Sequence, residues 1–257
     1  MIHNTKYNLT IGWLYPELMS TYGDRGNIII LQKRCEWREI NIEIKRLDLG
    51  FKINDLSSCD MLFMGGAQDQ QQKIVAEDLM KKRNILKQMV ENNTPGLYIC
   101  GAYQFLGKYY KEADGKIIKG LGILDLYTEN PGPDKPRLIG NIAIEILNTK
   151  YIIHNTTVVG FENHGGRTYL GKLVKPLGKV IKGFGNNGQD GTEGAIYKNS
   201  FGTYLHGPIL PKNPAFADLL VKLSLEKKYK ENISLSSLDD SLEQRARESI
   251  FKKLRIG

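Results

Sequence analysis

Through its first hundred residues the chain alternates between short apolar runs and segments of helical pattern. "NLTIGWLYP" reads as a buried first strand and is followed by the glycine-punctuated loop "TYGDRGN" and the helical "IIILQKRCEWRE". "INIEIKRLDL" alternates as a second strand does. "CDMLFMGG" is an apolar run stopped by Gly65 and Gly66, and "AQDQQQKIVAEDLMKKRNILKQMVENN" after it reads as one long helix. "PGLYIC" is again strand-like, with a helix from about Ala102. Strands alternating with helices predict an α/β fold with a largely parallel sheet flanked by helices. Beyond residue 120 the pattern changes to short strands with glycines between them, "GNIAIEIL", "TTVVGFENH", "GKVIKGF", "GAIYKN" and "FGTYLHG", which predicts a mixed sheet continuing the first. From Pro214 the chain is helical again. No internal repeat or low-complexity linker divides it, so the expectation is one domain over residues 1–257 with a helical C-terminal tail from about 213.

The 257 residues are 41% hydrophobic and 25% charged, enough apolar material for a sizeable core. No run approaches the roughly 18 to 20 apolar residues of a membrane span, and "MIHNTKYNLTIGW" lacks the h-region of a signal peptide, so a cytoplasmic location is expected. The net charge of +8 is spread along the predicted helices without interleaved aromatics, which describes a solvated basic surface rather than a nucleic-acid site. Cys35, Cys59 and Cys100 lie far apart, so neither a disulfide framework nor CxxC metal spacing is present, and no metal site is expected.

Each thiol is therefore weighed alone. Cys35, within a helix beside Trp37, and Cys59, in the polar turn "SSCD", read as small buried hydrophobes. Cys100 differs, because "YICGAYQFLG" places it where a parallel strand meets its helix, the edge at which α/β folds keep their sites. The helix N-terminus there favours thiolate, and a thiolate attacks carbonyls. Such a nucleophile needs a base. His3 and His154 lie in polar stretches and read as bland. His164 in "GFENHGGRT" and His206 in "FGTYLHGP" each end a strand pattern and precede glycine. His206 is the expected base and acid, able to take the thiol proton and later protonate a leaving amine. His164 is a possible support of the site, or of its own loop.

"CGAYQFLG", "GLGILD", "GFENHGGRT" and "FGTYLHG", in this order, resemble the class I (triad-type) glutamine amidotransferases, in the branch similar to the cobyric acid synthase glutaminase domain. The resemblance runs from about residue 8 to 225 and implies their flavodoxin-like three-layer fold. "LYPELMSTYGDRGNIIILQKRCEWR" resembles more narrowly the free-standing glutaminase subunits of lipid II isoglutaminyl synthases, which work with a Mur-ligase-like subunit of the MurT type. That resemblance implies L-glutamine as substrate and hydrolysis to glutamate and ammonia through a cysteinyl thioester. It implies ammonia delivery to the partner for amidation of the D-glutamate α-carboxyl of the peptidoglycan stem. ATP and Mg²⁺ are then expected on the partner ligase subunit, with no cofactor in this chain and lipid II reached only through the partner. Position by position, it makes Cys100 the nucleophile, His206 the acid–base group and the backbone N–H groups of Gly66 and Gly101 the oxyanion hole. Gln104 and Arg137 become substrate-binding residues, Arg137 because a guanidinium pairs bidentately with an α-carboxylate.

Two departures stand out. The usual family pattern has glycines on either side of the nucleophile, where Tyr98 and Ala102 stand here. The usual orienting glutamate two residues after the histidine is replaced by Pro208. Asp24, Glu162 and Glu193 are in-chain candidates without the expected spacing, and a carboxylate supplied in trans by the ligase subunit is the expectation the gap suggests. The "TYGDRGN" loop reads equally as a capped turn, with Asn27 serving the first N–H groups, or as a site-rim or partner-docking element. Two phosphate-loop look-alikes fail on context. "GRTYLGKL" puts Leu173 where a Mg²⁺-binding Ser or Thr belongs, and "GFGNNG" is followed by turn and strand rather than helix. Other readings are an amidotransferase for a cobyrinate-type ligase, whose full-length enzymes carry an ATP-binding domain that is not seen here, and a non-catalytic scaffold. A cysteine hydrolase of the DJ-1/PfpI group is a further one, but there a histidine commonly follows the cysteine, and here Gly101 does.

Overall fold

The computed structural model describes residues 6–67, 69–147 and 156–256. His3 and His154 lie outside them. The elements run β1 (Asn8–Leu14), α1 (Arg25–Glu36), β2 (Asn41–Leu47), α2 (Ile53–Ser57), β3 (Met61–Met64), α3 (Asp69–Lys81), α4 (Arg83–Glu91), β4 (Gly96–Ile99) and α5 (Gly101–Leu106). There follow β5 (Tyr109–Lys111), β6 (Ile117–Lys119), β7 (Leu126–Glu129), β8 (Leu138–Ile146), β9 (Thr157–His164), β10 (Arg167–Leu170) and β11 (Gly178–Lys182). The chain closes with β12 (Thr192–Glu193), β13 (Ala195–Tyr197), β14 (Ser200–Thr203), α6 (Pro214–Tyr229) and α7 (Ser241–Leu254).

The central sheet has the order β13-β14-β4-β3-β1-β2, parallel except for the antiparallel edge strand β13. From β1 the chain steps outward to β2 and then back across to β3, so right-handed crossovers put α1 on one face and α2 to α4 on the other. The strands β3, β4 and β14 are buried at every position, which is why β3 (MLFM) and β4 (GLYI) are continuous apolar runs instead of alternating ones, while β14 (SFGT) uses small residues. Trp13, Phe63, Leu97 and Phe201 stand opposite one another across four neighbouring strands and belong to one buried cluster. Each such side chain contributes about 1.5–3 kcal/mol on leaving water.

Two expectations from sequence are corrected. The glycine-rich half does not simply extend the first sheet: only β13 and β14 join it, and the rest forms two separate four-stranded sheets, β10-β7-β5-β6 and β12-β11-β8-β9. Hydrophobic pattern marks strands but not partners, and these pairings are long-range. The long helix is also two, broken at Lys82 (φ −104°, ψ 4°). Lys82 Nζ is held by Asp78 Oδ1 at 2.6 Å, and the next residue, Arg83, donates from Nε to Leu121 O at 2.5 Å, so α4 leaves the axis of α3 to pack elsewhere.

The helical tail is fastened to the first helix. Arg34 of α1 is fully buried and donates to Asp218 of α6 (2.6 and 2.8 Å) and to Asp240 (2.6 Å). Arg38 adds two bonds to Asp218, at 2.9 and 2.8 Å. Among the described residues no helix is long and apolar enough to cross a membrane.

Candidate active site

Four neighbouring parallel strands end together. Leu14 pairs with Met64, Met64 with Tyr98, and Ile99 with Thr203. The segments leaving β1, β3, β4 and β14 therefore open at one sheet edge, astride the point where the chain's direction of winding reverses. They carry Asp24, Gly66, Cys100 and His206.

Cys100 holds φ +52° and ψ −107°, a conformation an L-residue occupies at a cost of about 1–3 kcal/mol. Its N–H donates to Thr203 O at 2.8 Å and its carbonyl accepts from Gln104 N at 3.0 Å, so strand and helix both grip the bend. The thiol is left at the head of α5, 8% exposed. His206 is reached by a different route: it forms an isolated bridge with Phe161 at 2.7 and 3.2 Å, which fixes its backbone, and Gly207 then turns away at φ +79°. A side chain on Gly66 would meet His206 Cε1 at 2.8 Å and Cys100 Cβ at 3.2 Å. Nucleophile and imidazole thus converge on one point that only glycine leaves open.

A carboxylate of this chain does reach the imidazole. His206 Nδ1 lies 3.2 Å from Asp24 Oδ1, both residues being fully buried. Pro208, standing where the family glutamate would be, packs so closely on Gly26 that a Cβ there would lie 2.4 Å from its Cγ. That contact seats the start of α1, and Asp24 with it, against the imidazole. Asp24 is thus the carboxylate of this chain that meets the His206 ring, although its spacing in sequence is not the family's. Burial by itself would lower the His206 pKa, but the charges of the Cys100 sulfur and the Asp24 carboxylate outweigh it and raise the value above that of free histidine. The Nε2 atom closes no hydrogen bond. His206 thus stands beside Cys100 with its affinity for a proton raised.

The other two candidate acids are committed elsewhere. Glu162 accepts from Phe184 N at 2.7 Å and Gly185 N at 2.9 Å, pinning the "GFGNNG" turn. Glu193 accepts from Tyr204 N at 2.7 Å and from the Thr203 hydroxyl at 3.0 Å, bracing the backbone just before His206. Burial pushes its pKa up to about 8. "GFGNNG" is therefore a turn, while "GRTYLGKL" is the strand β10 and the turn after it, so neither motif opens a helix.

The cavity at this edge is about 450 Å³ and is lined by Cys100, His206, Gln104, Arg137 and His164 together with residues the sequence analysis did not single out, Tyr22, Gln72 and Asn163 among them. It is of a size to hold a small polar molecule. Arg137 is exposed at the mouth and held by Asn163, whose Oδ1 accepts from Nε and whose main-chain O accepts from Nη2, both at 2.9 Å. Gln104 is buried, with its Nε2 donating to the Tyr204 hydroxyl at 3.0 Å. His164 stacks on Tyr204 with ring centroids 3.6 Å apart, and its Nδ1 lies 2.7 Å from Gly166 O, a contact that puts the proton on Nδ1. Its burial lowers its pKa, so it stands as a neutral wall of the site.

The Gly66 N–H departs from expectation, because it donates to Asp24 Oδ2 at 2.7 Å and is not free for an oxyanion. Ala67 N lies next along that loop, 3.5 Å from where a Cβ on Gly101 would stand. Ala67 lines the cavity and is the better-placed companion to the Gly101 N–H. The donor one residue along was invisible in the sequence, because glycines mark a turn without saying which N–H faces inward.

Residues 10–214 match the model of the CobB/CobQ-like glutamine amidotransferase domain. The chain belongs to that family. It is 43% identical over 243 residues to the subunit GatD of the glutamine-hydrolyzing lipid II isoglutaminyl synthase of Streptococcus pneumoniae, covering 94% of this chain and 90% of that protein. It is 44% identical over 222 residues to the Staphylococcus aureus subunit of the same name, covering 86% of each. A solved glutamine amidotransferase structure superposes with a TM-score of 0.57 at 16% identity, covering 83% of this chain and 98% of that one, and shares the fold. This glutamine amidotransferase is an enzyme, and the three-layer α/β fold is that of its family.

Proposed function

We propose that this amidotransferase is the glutaminase subunit of a lipid II isoglutaminyl synthase. The observation that carries the reading is the convergence of Cys100, His206 and Asp24 at the edge of the cavity into which Arg137 reaches. The similarity to the two GatD subunits over nearly their whole length supports the choice of complex.

In this mechanism the glutamine α-carboxylate pairs with the Arg137 guanidinium, and Gln104 bounds the substrate's other side. The Cys100 thiolate attacks the side-chain carbonyl carbon, forming a C–S bond, and the Gly101 and Ala67 N–H groups receive the oxyanion. His206, as imidazolium, gives its Nε2 proton to the amide nitrogen as the C–N bond breaks, so ammonia leaves and a γ-glutamyl thioester remains. Neutral His206 then takes a proton from water, whose oxygen attacks the thioester. Glutamate leaves, and thiolate and imidazolium are restored. Asp24 holds the Nδ1–H and the ring orientation through both halves.

The ammonia passes to a Mur-ligase-like partner that binds ATP, Mg²⁺ and lipid II and amidates the D-glutamate α-carboxyl, work that places the chain in the cytoplasm. The test is ammonia release from glutamine by wild type and Cys100→Ser, each alone and with a co-purified ligase subunit. With Asp24 in the chain, wild type alone releases ammonia and Cys100→Ser does not. Activity that depends wholly on the partner would restore the idea of an acid supplied in trans.

A further inference from the structure

Tyr22 is neither part of the core nor of the acid–base pair, yet its backbone is held in a costly shape. It has φ +57° and Gly23 after it φ +80°, two successive left-handed residues. A tyrosine keeps that conformation only where its surroundings over-determine it. Here Thr21 N donates to Gly66 O at 3.0 Å while Gly66 N donates to Asp24 Oδ2 at 2.7 Å, so the turn is clamped to the β3 loop on both sides of Tyr22. The clamp sets the Tyr22 ring at 71° to the His206 imidazole, with centroids 4.9 Å apart. Its hydroxyl accepts from Asn163 Nδ2 at 3.0 Å, and Asn163 is the residue that grips Arg137 through two further bonds. Tyr22 lines the cavity and is 42% exposed overall.

We infer that Tyr22 is a positioning residue of the glutamine site with two separable duties. The ring covers the Cys100–His206 pair, keeping water and small electrophiles away and the surroundings weakly polar, where the attraction between thiolate and imidazolium is strongest. The hydroxyl, acting through Asn163, sets the guanidinium of Arg137 for the substrate carboxylate. The second duty rests on reading the cavity as a glutamine site, and the first does not.

The experiment compares full-length wild type, Tyr22→Phe, Tyr22→Asn, Asn163→Ala and the Tyr22→Phe/Asn163→Ala pair. Asparagine tolerates positive φ, so Tyr22→Asn removes the ring without straining the turn. Two quantities are read: initial rates of ammonia release over a glutamine series, and the rate of iodoacetamide alkylation at Cys100, resolved by peptide mass spectrometry from Cys35 and Cys59. Tyr22→Phe is expected to raise KM about three- to tenfold with kcat within about twofold, and to alkylate as wild type does. Asn163→Ala raises KM similarly, and the double variant adds little more, because both changes break one chain of contacts. Tyr22→Asn alkylates several-fold faster while its kcat falls.

An unchanged KM in Tyr22→Phe would overturn the role of the hydroxyl, and an unchanged alkylation rate in Tyr22→Asn would overturn the cover. If wild type alkylates at Cys100 but releases no ammonia either alone or with a co-purified ligase subunit, the glutamine reading fails, and the alkylation arm still decides whether Tyr22 covers the thiol.

Discussion

The cavity has two sides built by different rules. On one side, Cys100, His206 and Asp24 leave the ends of parallel strands whose register brings them together, and all three are buried. On the other, Arg137 comes from the segment just before β8 and Asn163 from β9, strands paired in a separate antiparallel sheet, and Arg137 stands exposed. The buried side has charges held in place by packing, as chemistry at a bond requires. The exposed side holds its cation by the two hydrogen bonds it donates to a single asparagine, which suits a group that must meet and release a substrate. The lesson is that loss on the first side falls on the chemical step and loss on the second on binding.

Cys100→Ser breaks the comparison most severely, lowering ammonia release by about 10⁴-fold or more while leaving circular dichroism and melting behaviour near wild type. Asp24→Asn keeps the shape but deprives the imidazole of its charge partner, and a loss of about 10²–10⁴-fold in kcat is expected, with KM little moved. Arg137→Ala is the counterpart on the open side. It raises KM for glutamine about 10- to 100-fold and lowers kcat far less, and Arg137→Lys recovers only part of the loss because an ammonium cannot form the fork.

Away from the cavity the largest effect is on stability. Arg34→Ala leaves Asp218 and Asp240 facing each other without their shared cation and costs about 3 kcal/mol in denaturant unfolding, detaching the tail before the sheet. The smallest effect concerns pH. Glu193 binds its proton more tightly folded (about 8) than unfolded (about 4.5), so its contribution to stability falls as pH rises between those values. Glu193→Gln should be close to neutral at low pH and should flatten that decline, as followed by thermal melts across pH 4.5 to 8.5.

The comparison also explains what could be read without coordinates. The parallel core was legible because fully buried strands write themselves as short apolar runs, and the elbow at Cys100 because small residues follow it directly. His206 was legible as a strand-end histidine before glycine. Asp24 was weighed only as an acid of the wrong spacing, because the contact that seats it, Pro208 on Gly26, joins segments about 180 residues apart in sequence. Asn163 stands next to His164 in "GFENHGG", yet in β9 neighbouring side chains face opposite ways, and asparagine is ordinary at such a strand end. Ala67 serves through its main chain, to which residue identity is silent. Tyr22 lay within a loop that read equally as a capped turn or a rim, and its left-handed φ is one a sequence predicts for glycine or asparagine instead.

The central claim is that one sulfur, activated wholly within this chain, carries the γ-glutamyl group. It is tested most directly by acid-quenching the chain milliseconds to seconds after mixing with glutamine and mapping covalent adducts by peptide mass spectrometry. The account predicts a γ-glutamyl adduct on the Cys100 peptide of wild type, formed without any partner and absent from Cys100→Ser. Ammonia released at the wild-type rate by Cys100→Ser, or an adduct confined to another residue, would contradict it.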